Sequence, residues 1–133
     1  MAYSPLFRYP WVQARAALDT SPPGEDGSRL LRYINPATGG PVLSRLDCYL
    51  LGLSYGKATR RCRSTSNAVC MVVAGAGTST VGDVTIEWEE NDIFTLPHWS
   101  WISHTAHTDR ATIFQSTDRD VMRRLDLLRE ERA

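Results

Sequence analysis

From Leu43 to Gln115 the chain is a succession of short β-prone runs, each stopped by turn residues, and few folds can be built from that pattern. Cys48-Tyr-Leu-Leu-Gly-Leu53 is apolar, and Val69-Cys-Met-Val-Val73 is a continuous β-prone run ending at Gly75-Ala-Gly77. Thr78 to Val81 reaches a Gly82-Asp83 turn, and Val84-Thr-Ile-Glu-Trp88 alternates between apolar and polar residues. Glu89 to Asp92 is a polar turn, followed by Ile93-Phe-Thr-Leu96, Trp99 to His104 and Ala111 to Gln115. Alternation with period two puts one face of each run in a core. Short strands at regular spacing indicate a sandwich or a small closed barrel, so the expectation is an all-β domain over residues 43–118.

The flanks read differently. Residues 1–42 form an N-terminal arm or linker, in which Trp11 to Leu18 has apolar residues at helical spacing behind Pro10. Thr20 to Gly27 breaks that helix with two prolines and two glycines, and Leu30 to Ile34 is a short extended segment. Residues 119–133 carry apolar side chains at 121, 122, 125 and 128, the spacing of a C-terminal amphipathic helix. Asp118-Arg119-Asp120 reads as its capping and charge-pairing start.

Composition removes several classes. Fifteen basic and fifteen acidic residues cancel, so no net field favours a nucleic-acid backbone or an anionic membrane. No apolar run approaches the ~20 residues that span a bilayer. The opening MAYSPLFRYPW lacks the charged-then-apolar order of a secretory signal. Cys48, Cys62 and Cys70 are an odd number without a CxxC pair, which points to reduced thiols and a cytoplasmic location.

Gly56 to Gly75 keeps every spacing of the motif G-x5-H-x-H-x3-E-x6-G, and Asn91 to Ile102 follows G-x5-P-x-G-x2-H with Asn91 in the first glycine's place. These are the two motifs of the cupin family, and the chain resembles it. More narrowly, it is similar to the C-terminal cupin of the gentisate 1,2-dioxygenase, salicylate and 1-hydroxy-2-naphthoate dioxygenase family. That similarity rests on Phe7-Arg-Tyr-Pro-Trp11, Arg32-Tyr-Ile-Asn-Pro-Ala-Thr-Gly-Gly-Pro41 and Val72-Val-Ala-Gly-Ala-Gly77. It continues through Ile86 to Phe94, Pro97-His-Trp-Ser-Trp101 and Ser116-Thr-Asp-Arg119. The resemblance implies a small double-stranded β-helix, or jelly-roll barrel. It also implies a place in aromatic ring cleavage, with Fe(II) held by the family's N-terminal cupin, which this chain does not contain.

The positions that match the motif's three histidines and glutamate are Cys62, Ser64, Ala68 and Ile102. A ring-cleaving Fe(II) site needs several imidazole or carboxylate donors on one face with open positions beside them. Alanine and isoleucine offer no donor, so the expectation is a degenerate site with no metal, no cofactor and no catalytic residue in this chain. Of the remaining histidines, His104 shares strand parity with Ile102 and is the one weak metal candidate, pointing inward towards Cys62. His98 lies in the turn after Pro97, and His107 has the opposite parity. Arg63, Trp99, Trp101 and His104 form a candidate pocket for a small aromatic acid, because arginine pairs with carboxylates and tryptophan stacks on rings. The blander expectation is that Arg60, Arg61 and Arg63 form a solvated face or pair with acids, and that the tryptophans serve an interface. Cys62 reads as a small buried cysteine rather than a nucleophile, and Gly75-Ala-Gly77 as a tight inter-strand turn rather than a phosphate loop.

Two functions follow from the resemblance. One is a non-catalytic structural or oligomerisation domain, partnered by a separate N-terminal cupin or by further copies of itself. The other is a minimal ring-cleaving dioxygenase, or an aromatic-acid-binding cupin, with an altered metal site.

Overall fold

The computed structural model describes residues 3–133, so the first two residues of the opening stretch read above lie outside the described residues. One helix precedes the strands: α1 (Trp11–Thr20). Then come β1 (Arg29–Arg32), β2 (Asp47–Gly52), β3 (Cys62–Ser64), β4 (Ala68–Ala74), β5 (Gly77–Val81), β6 (Val84–Trp88), β7 (Ile93–Leu96), β8 (Ile102–Ala106) and β9 (Thr112–Thr117). A short helix α2 (Arg119–Arg124) and a strand β10 (Glu130–Arg132) complete it. The strands form two five-stranded antiparallel sheets, ordered β1-β2-β9-β4-β7 and β10-β3-β8-β5-β6. This is the all-β class that the strand spacing indicated and the jelly roll that the resemblance implied.

Alternation along the strands decides what fills the space between the sheets. Cys70 and Val72 of β4, Phe94 and Leu96 of β7, Ile113 of β9, Trp88 of β6 and Ala106 of β8 are buried together, with Leu53 and Ala111 from the connecting segments. Trp88 and Phe94 stack with their planes 13° apart. A Cβ on Gly77 would lie 2.3 Å from the Thr105 carbonyl oxygen and 2.6 Å from the Trp88 ring, so this position accepts only glycine.

A second, smaller core lies on the outer face of the first sheet. Ala14 and Leu18 of α1 bury against Leu50, with Leu31, Tyr33, Val73 and Phe114 around them. Gly52 leaves room for Leu18, whose side chain would be 3.3 Å from an added Cβ. Complete burial of that one leucine is worth about 2 kcal/mol. Arg15 adds a hydrogen bond to Thr112 Oγ1 and an ion pair with Asp19. The expected arm is thus docked, and β1, which pairs with β2 along its length, belongs to the barrel's sheet.

The C-terminal segment departs from expectation. Helix α2 stops at Arg124, and residues 130–132 turn back to pair with β3 instead of continuing as a helix over 119–133. Of the apolar residues at helical spacing, Val121, Met122 and Leu128 are half-buried and Leu125 is exposed. Asp126 enters the left-handed region at φ 58, which ends the helical path. Asp118 does not cap α2 with its side chain; its carboxylate accepts the Asn67 N–H at 2.8 Å instead. The expected charge pairing does form, with Arg123 and Arg124 both bonded to buried Asp120.

Candidate functional site

The four motif positions are divided between the two sheets. Cys62 of β3 sits directly across from Ile102 of β8, and Ile102 in turn faces Val81 of β5. Ser64 is two residues further along β3, on the same face as Cys62. Ala68 opens β4 in the opposite sheet, paired with Leu96 and Thr117. Ala68 and Ile102 pack against the main hydrophobic core. The Ser64 and Ser66 hydroxyls bond to each other at 2.8 Å. Among the described residues no three His, Cys, Asp or Glu side chains gather closely enough to hold a metal ion.

The backbone around these positions keeps the motif's geometry although its residues have changed. The four places where the motif has glycine are Gly56, Gly75, Asn91 and Trp99, and their φ angles are 71°, 84°, 76° and 58°. All four are left-handed. Asparagine tolerates that region, whereas a bulky tryptophan there is a strained outlier. The strand expected from Trp99 therefore begins only at Ile102, and Trp99 and Trp101 lie in the approach to it. Sequence reasoning noted the substitution at Asn91 and missed the one at Trp99, which the motif's P-x-G element would have revealed.

Trp99's unusual backbone places its ring beside an arginine. The Arg63 guanidinium lies 4.2 Å from the Trp99 ring centre and 4.6 Å from that of Trp101, and Arg61 lies 5.0 Å from Trp101 on the same surface. Arg63 also pairs with Glu131 of β10 at 2.8 Å. Three of the four candidate pocket residues are therefore together, but as a packed stack whose arginine is already bonded to an acid. Arg60 does not join them; its Nε donates to the Ala133 carbonyl.

His104, the fourth, lies inside the barrel. Its Nδ1 is 2.6 Å from Ser79 Oγ, and the same oxygen accepts the Trp88 indole N–H at 2.8 Å. A buried serine hydroxyl needs its own acceptor, and Nδ1 is the one beside it, which assigns the proton of neutral His104 to Nε2. Burial holds its pKa down to about 4. The other histidines are on the surface: His98 Nδ1 is bonded to the Thr65 carbonyl, and His107 Nε2 to Thr78 Oγ1. The inward aim of His104 is as its parity implied, but its partner is Ser79 rather than Cys62.

Cys62 is exposed, correcting the expectation of a small buried residue. Desolvation of its thiol outweighs the pull of nearby Arg132 and raises its pKa, the opposite of what a thiolate nucleophile needs. Cys70 is the buried cysteine, its thiol pushed up to about 12 by burial. Gly75 forms the turn between β4 and β5, with the Ala76 N–H capped by Thr108 Oγ1. No helix among the described residues is long and apolar enough to cross a membrane.

No family model matches the chain. It is 37% identical over 132 residues to the 5-aminosalicylate 1,2-dioxygenase of Comamonas sp, covering 96% of this chain and 35% of that protein. It is 30% identical to gentisate 1,2 dioxygenase 1 of Aquipseudomonas alcaligenes, across 97% of this chain and 38% of the relative. The salicylate 1,2-dioxygenase of Pseudoaminobacter salicylatoxidans superposes with a TM-score of 0.93 at 28% identity, over 99% of this chain and 38% of that one. A cupin 2 domain-containing protein from Halorhodospira halophila shares the fold alone, with a TM-score of 0.61 at 17% identity over 74% of this chain and 69% of its own. The chain spans about a third of the length of the dioxygenases it matches. By sequence and by architecture it resembles one domain's worth of the gentisate and salicylate dioxygenases, and its fold is that of a cupin.

Proposed function

We propose that this chain is the C-terminal cupin of a gentisate-type ring-cleaving dioxygenase, acting as a non-catalytic assembly domain. One observation carries the reading: at the motif's ligand positions, Ala68 and Ile102 bring half-buried hydrocarbon packed against the barrel core, where Fe(II) chemistry needs nitrogen or oxygen donors. The half-buried Ser64 hydroxyl and the exposed Cys62 thiol do not make up a ferrous ligand set on their own. The residues present do not fit the metal.

The assembly role is supported by the outer surface. Val69 and Met71 of β4 and Ile93 of β7 are exposed side by side, Met71 directly across from Ile93, in the part of the first sheet that α1 leaves bare. Phe7 and Val12 are also largely exposed. Contiguous apolar surface of this kind marks protein contacts. Partners are therefore further copies of the chain or a separate N-terminal cupin.

The test is metal analysis of protein purified without chelator, before and after addition of Fe(II), together with light scattering. The expected result is far less than one metal per chain and a species larger than a monomer. Stoichiometric iron lost on His104→Ala would overturn the catalytic silence, and a clean monomer at high concentration would overturn the assembly role.

A further inference from the structure

We propose that residues 125–133 are an exchangeable strap, and that in the self-association inferred above β10 of one copy pairs with β3 of another. This rests on the assembly reading and names how the copies join.

The strap's attachment is of an unusual kind for a strand. Glu130, Glu131 and Arg132 are all exposed, so no buried side chain anchors β10. It is held by main-chain pairing with β3, by ion pairs of Glu130 with Arg119 and Glu131 with Arg63, and by the Arg60 bond to the Ala133 carbonyl. Solvent-exposed ion pairs and main-chain bonds of this sort contribute little net of hydration, so release exposes no core. Strand β3 in turn meets β8 through a single pair, Cys62 with Ile102. Without β10 it becomes an open edge with unpaired main-chain groups, and such an edge accepts another strand.

Charge chooses the occupant. The open edge presents Arg60, Arg61 and Arg63, with Arg119 beside them, and the strand it fits begins with two glutamates. A second copy carries that same acidic strand in the same register, so every contact of the closed form is regained in the exchanged one. The connection also favours exchange. Asp126 holds a left-handed φ of 58° that a straightened hinge would relieve, and Leu125 and Leu127 flank it with exposed side chains that two adjacent hinges would cover.

The ladder supplies its own probe. The Ala133 N–H donates to the Arg61 carbonyl and the Thr65 N–H to the Arg129 carbonyl, so the intervening pair, Cys62 with Arg132, is a non-hydrogen-bonded one. Side chains approach most closely at such pairs, within the range a disulfide needs. A chain carrying Cys62→Ser and Arg132→Cys is unfolded together with the unaltered chain, refolded at high concentration in a buffer of mixed thiol and disulfide that supplies the oxidant, and run on a non-reducing gel. A disulfide between the two chains then requires the strap of one on β3 of the other. A chain with Cys62→Ser and Arg129→Cys reports random collision, because residue 129 pairs with Thr65.

Cross-linking about tenfold above that collision control is expected, since pairing raises the local concentration of the two thiols. Equal yields from the two variants would overturn the exchange. Hydrogen exchange on the unaltered chain gives a second reading that needs no variant: protection of residues 62–65 and 129–132 is expected to rise with protein concentration. Protection that ignores concentration overturns the proposal. Dimers in light scattering without strap-specific cross-links defeat the exchange while sparing the assembly role, whereas monomers throughout defeat both.

Discussion

Replacing Trp99 with glycine and, separately, with alanine isolates the backbone strain at that position from the work of its ring. Both substitutions remove the contact with Arg63, 4.2 Å from the ring centre, which as a partly exposed cation–π pair is worth about 0.5–1 kcal/mol. Only glycine also removes the conflict between a Cβ and a φ of 58°. That conflict costs about 1–2 kcal/mol, against which glycine forfeits about 0.5–1 kcal/mol through its greater freedom in the unfolded chain. The difference leaves Trp99→Gly more stable than Trp99→Ala by about 1 kcal/mol, with Trp99→Gly close to the unaltered protein. For a domain of this size that is a gap of about 3–6 °C in thermal midpoint. Urea unfolding followed by circular dichroism measures it, provided the slopes of the two variants agree. If alanine proves as stable as glycine, the left-handed backbone at residue 99 carries no cost and the strain argument fails.

Two further outcomes concern the barrel interior. Burial lowers the His104 pKa from 6.5 to about 4, so the unfolded chain takes up a proton that the folded protein refuses. The stability of the neutral form is complete above pH 6.5 and drains as pH falls towards and through 4, a loss on the order of 3 kcal/mol. Thermal midpoints measured from pH 7 to pH 4 are expected to fall less steeply for His104→Gln than for the unaltered protein; parallel curves would refute the assignment. Gly77→Ala puts a methyl 2.3 Å from the Thr105 carbonyl oxygen and against the Trp88 ring, and it is expected to cost more than about 3 kcal/mol or to prevent folding. A soluble variant with an unchanged midpoint would count against the close packing of β5 on β8.

The barrel was legible because its signals are local and repeated. Period-two alternation in Val84–Trp88 and turn residues at Gly82-Asp83 mean the same thing in any context, and the motif spacing ties distant strands together. The docking of α1 was half legible: Leu18 declared a helix face, but not that Gly52 would receive it. Where long-range charge decides, the sequence misleads. Leu125 and Leu128 suggested a helix, yet Arg119 and Arg63, far apart in sequence, draw Glu130 and Glu131 into a strand. Arg60, Arg61 and Arg63 read as a cluster, but only the two of like parity reach the tryptophans, the third turning to Ala133. Cys62 and Cys70 look alike in composition; exposure separates them, and that depends on where each strand lies in its sheet.

The bond between Trp88 and Ser79 gives the domain a built-in optical sensor. Of the four tryptophans, Trp88 is the buried one, while Trp11, Trp99 and Trp101 are all more open to water. Its emission should therefore be blue-shifted from theirs, and because its N–H leads through one hydroxyl to His104, a proton arriving on that imidazole must reverse the hydroxyl and disturb the indole. Fluorescence can thus follow the acidification of the barrel's interior without any label.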